Sequence, residues 1–280
     1  MKKLLTILLT VITAFSVFAF GGCSKGKDDD TLVVGLECGY IPFNWTQKDD
    51  ANDAVKISNA DGYANGYDVM IAKKIADALG KKLVIKKLEW DGLVAGVQTG
   101  NLDFVIAGMS PTAERLKAID FSDAYYESQL VVVVKDNGAY KDAQTLDDLA
   151  GAKITAQIGT FHLIALQQQG ASHGINVQTG MDTFPLMAGA LASGTIDGYV
   201  AEEPGAIADC SSNPGFTYIH LTNNTTGFTA SAEDTTIAVG FKKGSSYKDK
   251  VNECLAGISR AERDALMNKA ITLSSGSNVA

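Results

Sequence analysis

From residue 31 onward, short apolar runs alternate with amphipathic stretches. TLVVGLE (31–37) reads as a strand. In NGYDVMIAKKIADALG (65–80), Ile71, Ile75 and Leu79 recur every four positions, the spacing of one helix face, and Gly80 is a stop signal. KKLVIKKLEW (81–90) reads as a strand, DGLVAGVQTG (91–100) as a short helix capped by Asp91, and LDFVIAG (102–108) as another strand. The alternation then restarts. TLDDLAG (145–151) is a short helix, AKITAQIGT (152–160) a strand and FHLIALQQQG (161–170) a helix. INVQTG (175–180), FPLMAGALASG (184–194) and TIDGYVAEE (195–203) continue it as strand, helix and strand. Such alternation favours parallel strands with helices on the sheet faces.

The restart is partly an internal repeat. LVAGVQTGNLDFVIAG (93–108) matches MAGALASGTIDGYVAE (187–202) at an offset of 94, aligning Gly100 with Gly194 and Asp103 with Asp197. Two similar α/β lobes are the simplest reading. QLVVVVK (129–135) and TTIAVGF (235–241) are extended segments suited to crossing between lobes, so TTIAVGFKKGSS and the helix YKDKVNECLAGIS (247–259) are expected to return to the first lobe.

The amino terminus follows a different pattern. Lys2 and Lys3 precede a mostly apolar run that ends in FGGC (20–23). This reads as an export signal; its alternative is a transmembrane anchor, for which the run is short and lightly polar. The small residues before Cys23 resemble a lipobox, with Phe20 where leucine is usual. Residues 1–22 are therefore expected to be removed, Cys23 to carry the lipid, and 23–30 to form a polar tether. Without residues 1–22 the net charge is 22 − 32 = −10, with no basic stripe for a phosphate backbone, which argues against nucleic acid as a partner. Cys38, Cys210 and Cys254 remain, an odd number without CxxC spacing, so neither zinc nor redox chemistry is indicated.

In parallel α/β sheets, ligands bind beyond the carboxyl ends of the strands. The first lobe offers Glu37, Tyr40, Trp90 and the 108–115 loop at those ends, and the second offers Gly159-Thr160 and Glu202. Arg115, with Ser110 and Thr112 beside a helix start, suits a small carboxylate. Its alternative is a solvated arginine paired with Glu114 or Asp120. Glu202 suits an ammonium, or is a charged loop residue beside Glu203. Tyr40 and Trp90 suit the walls of a pocket, or ordinary core. Taken together, a carboxylate clamp on one lobe and an anion on the other fit a zwitterionic amino acid.

The stretches VVGLECGYIPFNW, ANGYDVMIAKKIADALG, LEWDGLVAGVQTGNLDFVIAGMSPTAERLKAIDFSDAYY, QIGTF, GTIDGYVAEEP and TTIAVGFKKG resemble the extracellular solute-binding proteins of family 3, the amino-acid receptors of ATP-driven importers, over roughly residues 31–270. The resemblance implies a two-lobed, periplasmic-binding-protein-like α/β fold. Each lobe would be a mainly parallel sheet flanked by helices, joined by two crossover strands: 31–127 as lobe 1, 128–234 as lobe 2 and 235–280 returning to lobe 1. It puts Arg115 where the family's carboxylate-binding arginine stands. Gly108 and Ser110 match backbone and hydroxyl contacts to the same carboxylate, and Thr160 matches the second lobe's donor. Glu202 falls where the family usually has aspartate for the ligand ammonium, keeping the charge on a longer arm. Tyr40 and Trp90 match the aromatic pair around the ligand side chain. Glu37 matches an acidic position that reaches the distal charge in receptors for basic amino acids. The ending LSSGSNVA (273–280) lacks the aromatic residues many members have.

The implied function is a monomeric, lipid-anchored receptor on the extracytoplasmic side of the cell membrane. It would take a free polar amino acid, need no cofactor or metal, and deliver to an ABC permease by hinge closure. Two other classes compete. Dehydratases acting on prephenate-like acids resemble the same scaffold, but no GxSxG, HExxH, metal cluster or phosphate loop appears, and His162, His173 and His220 are scattered. A ligand-sensing module of a signalling protein would carry further segments.

Overall fold

The offset of 94 is a structural equivalence. In a computed structural model that describes residues 30–275, Gly100 and Gly194 end corresponding helices with φ of +76° and +77°, a conformation glycine reaches without steric cost. Asp103 and Asp197 then perform the same local task. Val33 N–H donates to Asp103 Oδ2 at 2.8 Å and Lys153 N–H to Asp197 Oδ2 at 2.9 Å. Both aspartates return the bond through their own amides, to Val33 O and Lys153 O at 2.8 Å each. The strand register is equivalent too, with Val34 opposite Phe104 and Ile154 opposite Gly198: the second members keep the offset of 94, while the first strands of the two units lie 120 residues apart. The signal peptide, Cys23 and the tether up to residue 29 lie outside the described residues.

Each lobe is built on a five-stranded sheet. The first runs Lys82–Lys87, Thr31–Leu36, Phe104–Val105, Thr236–Phe241, Asp120–Glu127. The second runs Asn176–Val177, Lys153–Thr155, Gly198–Glu202, Leu130–Lys135, Phe216–Ile219. The two sheets share one plan. Three parallel strands come first, then an antiparallel strand that has crossed from the other lobe, then a further antiparallel strand. The parallel part is therefore two pairings in each sheet, balanced by two antiparallel ones. The crossing chain enters lobe 2 after Glu127 and returns at Thr236. Ser128 N–H donates to Thr235 O at 3.1 Å, which ties the two crossings together.

A third sheet has no counterpart in the repeat. Gly39–Tyr40, Asn44–Gln47, Tyr63–Asn65 and Val55–Lys56 form a small antiparallel sheet on lobe 1 that carries Tyr40. Helices Tyr67–Ala78, Gly92–Gln98, Phe161–Gln169 and Phe184–Ser193 stand where the periodicity places them. The TLDDLAG segment makes only one 3₁₀ turn, Asp147–Leu149. Asp91 does not cap its helix: it is itself helical in backbone, and its side chain makes no cap bond. Thr160 and Thr183 do cap theirs, accepting from Leu163 N–H and Leu186 N–H. Fully buried Leu32, Val34, Ile71, Ile75 and Phe104 fill the first lobe, and Val132, Ile154 and Leu166 the second. Each such side chain contributes about 1.5–3 kcal/mol of apolar burial. Cys38, Cys210 and Cys254 are free thiols.

Candidate functional site

Tyr40, Trp90, Gly108, Ser110 and Arg115 of lobe 1 meet Gln157, Thr160, Phe161, His162, Phe184 and Glu202 of lobe 2 around one nearly closed hollow of about 10 Å³. Seven of the eight candidate residues from the sequence line it. Glu37 does not. It is buried behind Gln157, whose Nε2 donates to Glu37 Oε1 and to Asp182 O, each at 2.9 Å. Burial pushes the Glu37 carboxyl up to about 7. A larger hollow of about 400 Å³ opens between the 120–127 strand and the C-terminal helices. Size does not decide between them. The three buried side-chain atoms that lack a partner among the described residues, Tyr40 Oη, His162 Nδ1 and Glu202 Oε2, all belong to residues of the smaller one.

Arg115 begins a helix of a single turn, Arg115–Ala118. So short a helix adds little macrodipole, and the positive field here comes from the guanidinium itself. Thr112 Oγ1 accepts from the Arg115 amide at 3.4 Å. Nη1 donates to Ser110 O at 2.9 Å and Nη2 crosses to Gly159 O in lobe 2 at 2.8 Å. The guanidinium lies over the Trp90 ring, 5.0 Å from its centroid. Trp90 Nε1 donates to the same Gly159 carbonyl at 3.2 Å. Burial lowers Arg115 to about 10, which leaves it charged at neutral pH.

Several contacts differ from expectation. Tyr40 offers no bare face, because Phe43 and Phe184 stack on it with centroids 4.9 and 4.2 Å away. Its hydroxyl, not its ring, is the unsatisfied part. The Thr160 hydroxyl donates to Gln157 O at 2.7 Å while capping its helix, so its proton is already taken. The Gly108 amide donates to Tyr125 Oη at 3.3 Å, so it is already partnered. Gly108 has φ of +63°, and a Cβ there would come within 3.0 Å of the Tyr40 ring. Behind it, Asp68 accepts from Tyr125 Oη at 2.6 Å and from Asn44 Nδ2 at 2.8 Å. That buried network fixes the loop from below.

Glu202 ends its strand and points into the hollow. Oε1 meets His162 Nε2 at 2.8 Å and Oε2 meets nothing. Burial drives Glu202 up to about 8 and, with help from Arg115, drives His162 down to about 3. The contact is thus a hydrogen bond to a neutral imidazole, not an ion pair. Gln157, Phe161, His162 and Phe184 were not singled out in the sequence. Gln157, Phe161 and His162 flank Gly159-Thr160 at the carboxyl end of a strand, the position rule that selected Thr160. Among the described residues, no cluster of three or more His, Cys, Asp or Glu is placed to hold a metal ion.

Comparison with known proteins agrees with this architecture. The chain is 27% identical over 258 residues to the arginine-binding extracellular protein ArtP of Bacillus subtilis (strain 168), covering 91% of this chain and 92% of that protein. It is 30% identical over 227 residues to a probable histidine-binding protein of Campylobacter jejuni, covering 76% and 79%. A crystal structure of an amino acid ABC transporter substrate-binding protein from Streptococcus pneumoniae, bound to L-arginine, superposes with a TM-score of 0.75 at 26% identity, covering 87% of this chain and 94% of that one. These are solute-binding proteins, not enzymes. Residues 32–272 match the bacterial extracellular solute-binding proteins, family 3, and the chain belongs to that family.

Proposed function

We propose that this protein captures a polar L-amino acid, with a basic side chain of the arginine type preferred, in the cleft between its lobes and hands it to the permease of an ABC importer. The observation that carries the reading is the pairing of opposite charges across one hollow: Arg115 from lobe 1, and Glu202 with its unpartnered oxygen from lobe 2. The guanidinium takes the α-carboxylate, exchanging a carbonyl acceptor for a charged one, and such bonds are worth about 1.5–3 kcal/mol each. The Glu202 carboxylate takes the α-ammonium and becomes ionised in doing so. Ser110 and the free amides at the start of the 161–169 helix supply further donors. Gln157 stands between the hollow and Glu37, so a cationic side chain that displaces its amide reaches a second carboxylate. The names of the relatives support this class of ligand.

Closure is a hinge motion about the paired crossings at Ser128 and Thr235. The bonds from Arg115 and Trp90 to Gly159, and from Gln157 to Glu37, then join the lobes. In the same reading Cys23 carries the lipid and palmitate, and the tether holds a monomer at the outer face of the cell membrane. A thermal-shift screen against the twenty amino acids, followed by titration calorimetry, tests the function. Arginine-class ligands are expected to raise the midpoint by mass action. Arg115→Ala is expected to weaken binding by about 100-fold, roughly 3 kcal/mol, without unfolding the protein. Unchanged affinity in Arg115→Ala would remove the residue from the site, and no shift with any amino acid would remove the function.

A further inference from the structure

We propose that His162 is a ligand-binding and selectivity residue of this cleft: its Nε2–H fixes the Glu202 carboxylate, and its Nδ1 presents a lone pair to a hydrogen-bond donor on the side chain of the bound amino acid. The inference rests on the amino-acid reading above and deepens it.

His162 is 5% exposed and lines the hollow. Nε2 lies 2.8 Å from Glu202 Oε1, while Nδ1 is buried without a partner. Buried polar atoms in folded proteins are almost always bonded, so an orphan beside a cleft marks a place for a ligand atom. Nothing in the helix itself requires an imidazole here. Residue 162 is the second position of the 161–169 helix, and the cap is already made by Thr160.

The tautomer follows from Glu202. A carboxylate ionised against a ligand ammonium has acceptors only, so the proton in the 2.8 Å contact belongs to Nε2. A neutral imidazole carries one N–H, and Nδ1 is then an acceptor. The two ring nitrogens point in diverging directions, so the group that meets Nδ1 differs from the one that meets Glu202 Oε2. The cleft therefore offers two separate acceptors, one for the ammonium and one for a second N–H or O–H. Side chains that end in a donor, such as those of arginine and glutamine, satisfy both. Apolar side chains and ionised acidic ones leave Nδ1 orphaned.

Protonation of the ring would convert that acceptor into a donor. The charged or titratable groups facing it are Glu202 from the 198–202 strand, Arg115 from lobe 1 and the Tyr40 hydroxyl across the hollow. The Phe184 ring lies edge-on at 6.2 Å and carries no charge. Burial and the Arg115 charge thus hold the imidazole neutral before any ligand enters.

The test is titration calorimetry at about pH 7.5 with L-arginine, L-glutamine and L-norleucine, whose side chain has no donor. At this pH burial already holds the His162 ring neutral in the free protein. His162→Leu removes both ring nitrogens, and the contact to Glu202 is lost equally for all three ligands. The loss for arginine and glutamine is expected to exceed that for norleucine by about tenfold, because only they lose the bond to Nδ1. An equal loss for all three ligands would overturn the assignment. Failure of arginine and glutamine to bind the unsubstituted protein would overturn the donor-side-chain class, while the twenty-amino-acid screen separately judges the amino-acid function. Should His162→Leu not fold, the imidazole ¹⁵N shifts of His162 in the complex answer instead. A neutral Nε2–H ring at pH 5.5 supports the proposal, and a protonated ring overturns it.

Discussion

Arg115 has more to do than attract an anion. Its fork links the 108–115 loop to Gly159 in the other lobe while its flat face rests on Trp90. Lysine cannot reproduce that set, because an ammonium has neither the planar fork nor the stacking face. Glu202 is the opposite case, a carboxylate that burial forces toward its protonated form until a cation arrives. The site is thus asymmetric before any ligand enters: a permanent positive charge on one wall and a conditional negative charge on the other. The buried trio of Asp68, Tyr125 and Asn44 shows how the loop beneath is kept in place. Removing one member leaves the others buried with unmade bonds, so each matters more than its single contact suggests.

At the scale of elements, the repeated helix–glycine–strand unit makes a matched prediction. Gly100 and Gly194 share a left-handed φ, and a Cβ at Gly100 meets nothing while one at Gly194 comes only within 3.7 Å of Lys135 Nζ. Gly100→Ala and Gly194→Ala are therefore expected to destabilise by the same amount, about 1 kcal/mol or roughly 2–4 °C, because strain alone is at stake. Calorimetric melting checks this, and clearly unequal losses would mean that the two units are not equivalent. The repeat and the alternating elements were legible in the sequence because local periodicity encodes them. The small sheet around Tyr40 was not: its strands have two to four residues and no alternation to read. Arg115, Thr160 and Glu202 were legible through their positions at strand ends. The stack of Phe184 on Tyr40 was not, since it joins rings from the two lobes, 144 positions apart. His162 was passed over because its meaning lies in burial beside Glu202, which no local pattern announces.

For the whole molecule, two paired crossings join the lobes, and the C-terminal helix Arg260–Ser274 packs on helices of both lobes, Tyr67–Ala78 and Glu203–Ser212. Proton linkage adds a global signature. Burial raises Glu37, Asp68, Glu202 and Asp209 to about 7, 7, 8 and 6. Each holds its proton more firmly when folded, so its stabilising effect is complete below the ordinary carboxylate range and is lost as pH rises through the raised value. His162, lowered to about 3, works in the opposite sense between that value and roughly 6.5. Four groups against one predict that the thermal midpoint of the ligand-free protein falls from pH 5.5 to pH 8. Saturating arginine should lessen the fall, because Glu202 then has a cationic partner. A midpoint that rises over this interval would contradict the burial of these carboxyls.

The most direct measurement is a crystal structure of the protein grown with L-arginine. The account predicts the ligand between the lobes, its carboxylate oxygens within about 2.7–3.2 Å of the Arg115 guanidinium and its α-ammonium at the same range from Glu202. Arginine bound with these ends reversed, or bound elsewhere while Arg115 and Glu202 keep only their present partners, would contradict it.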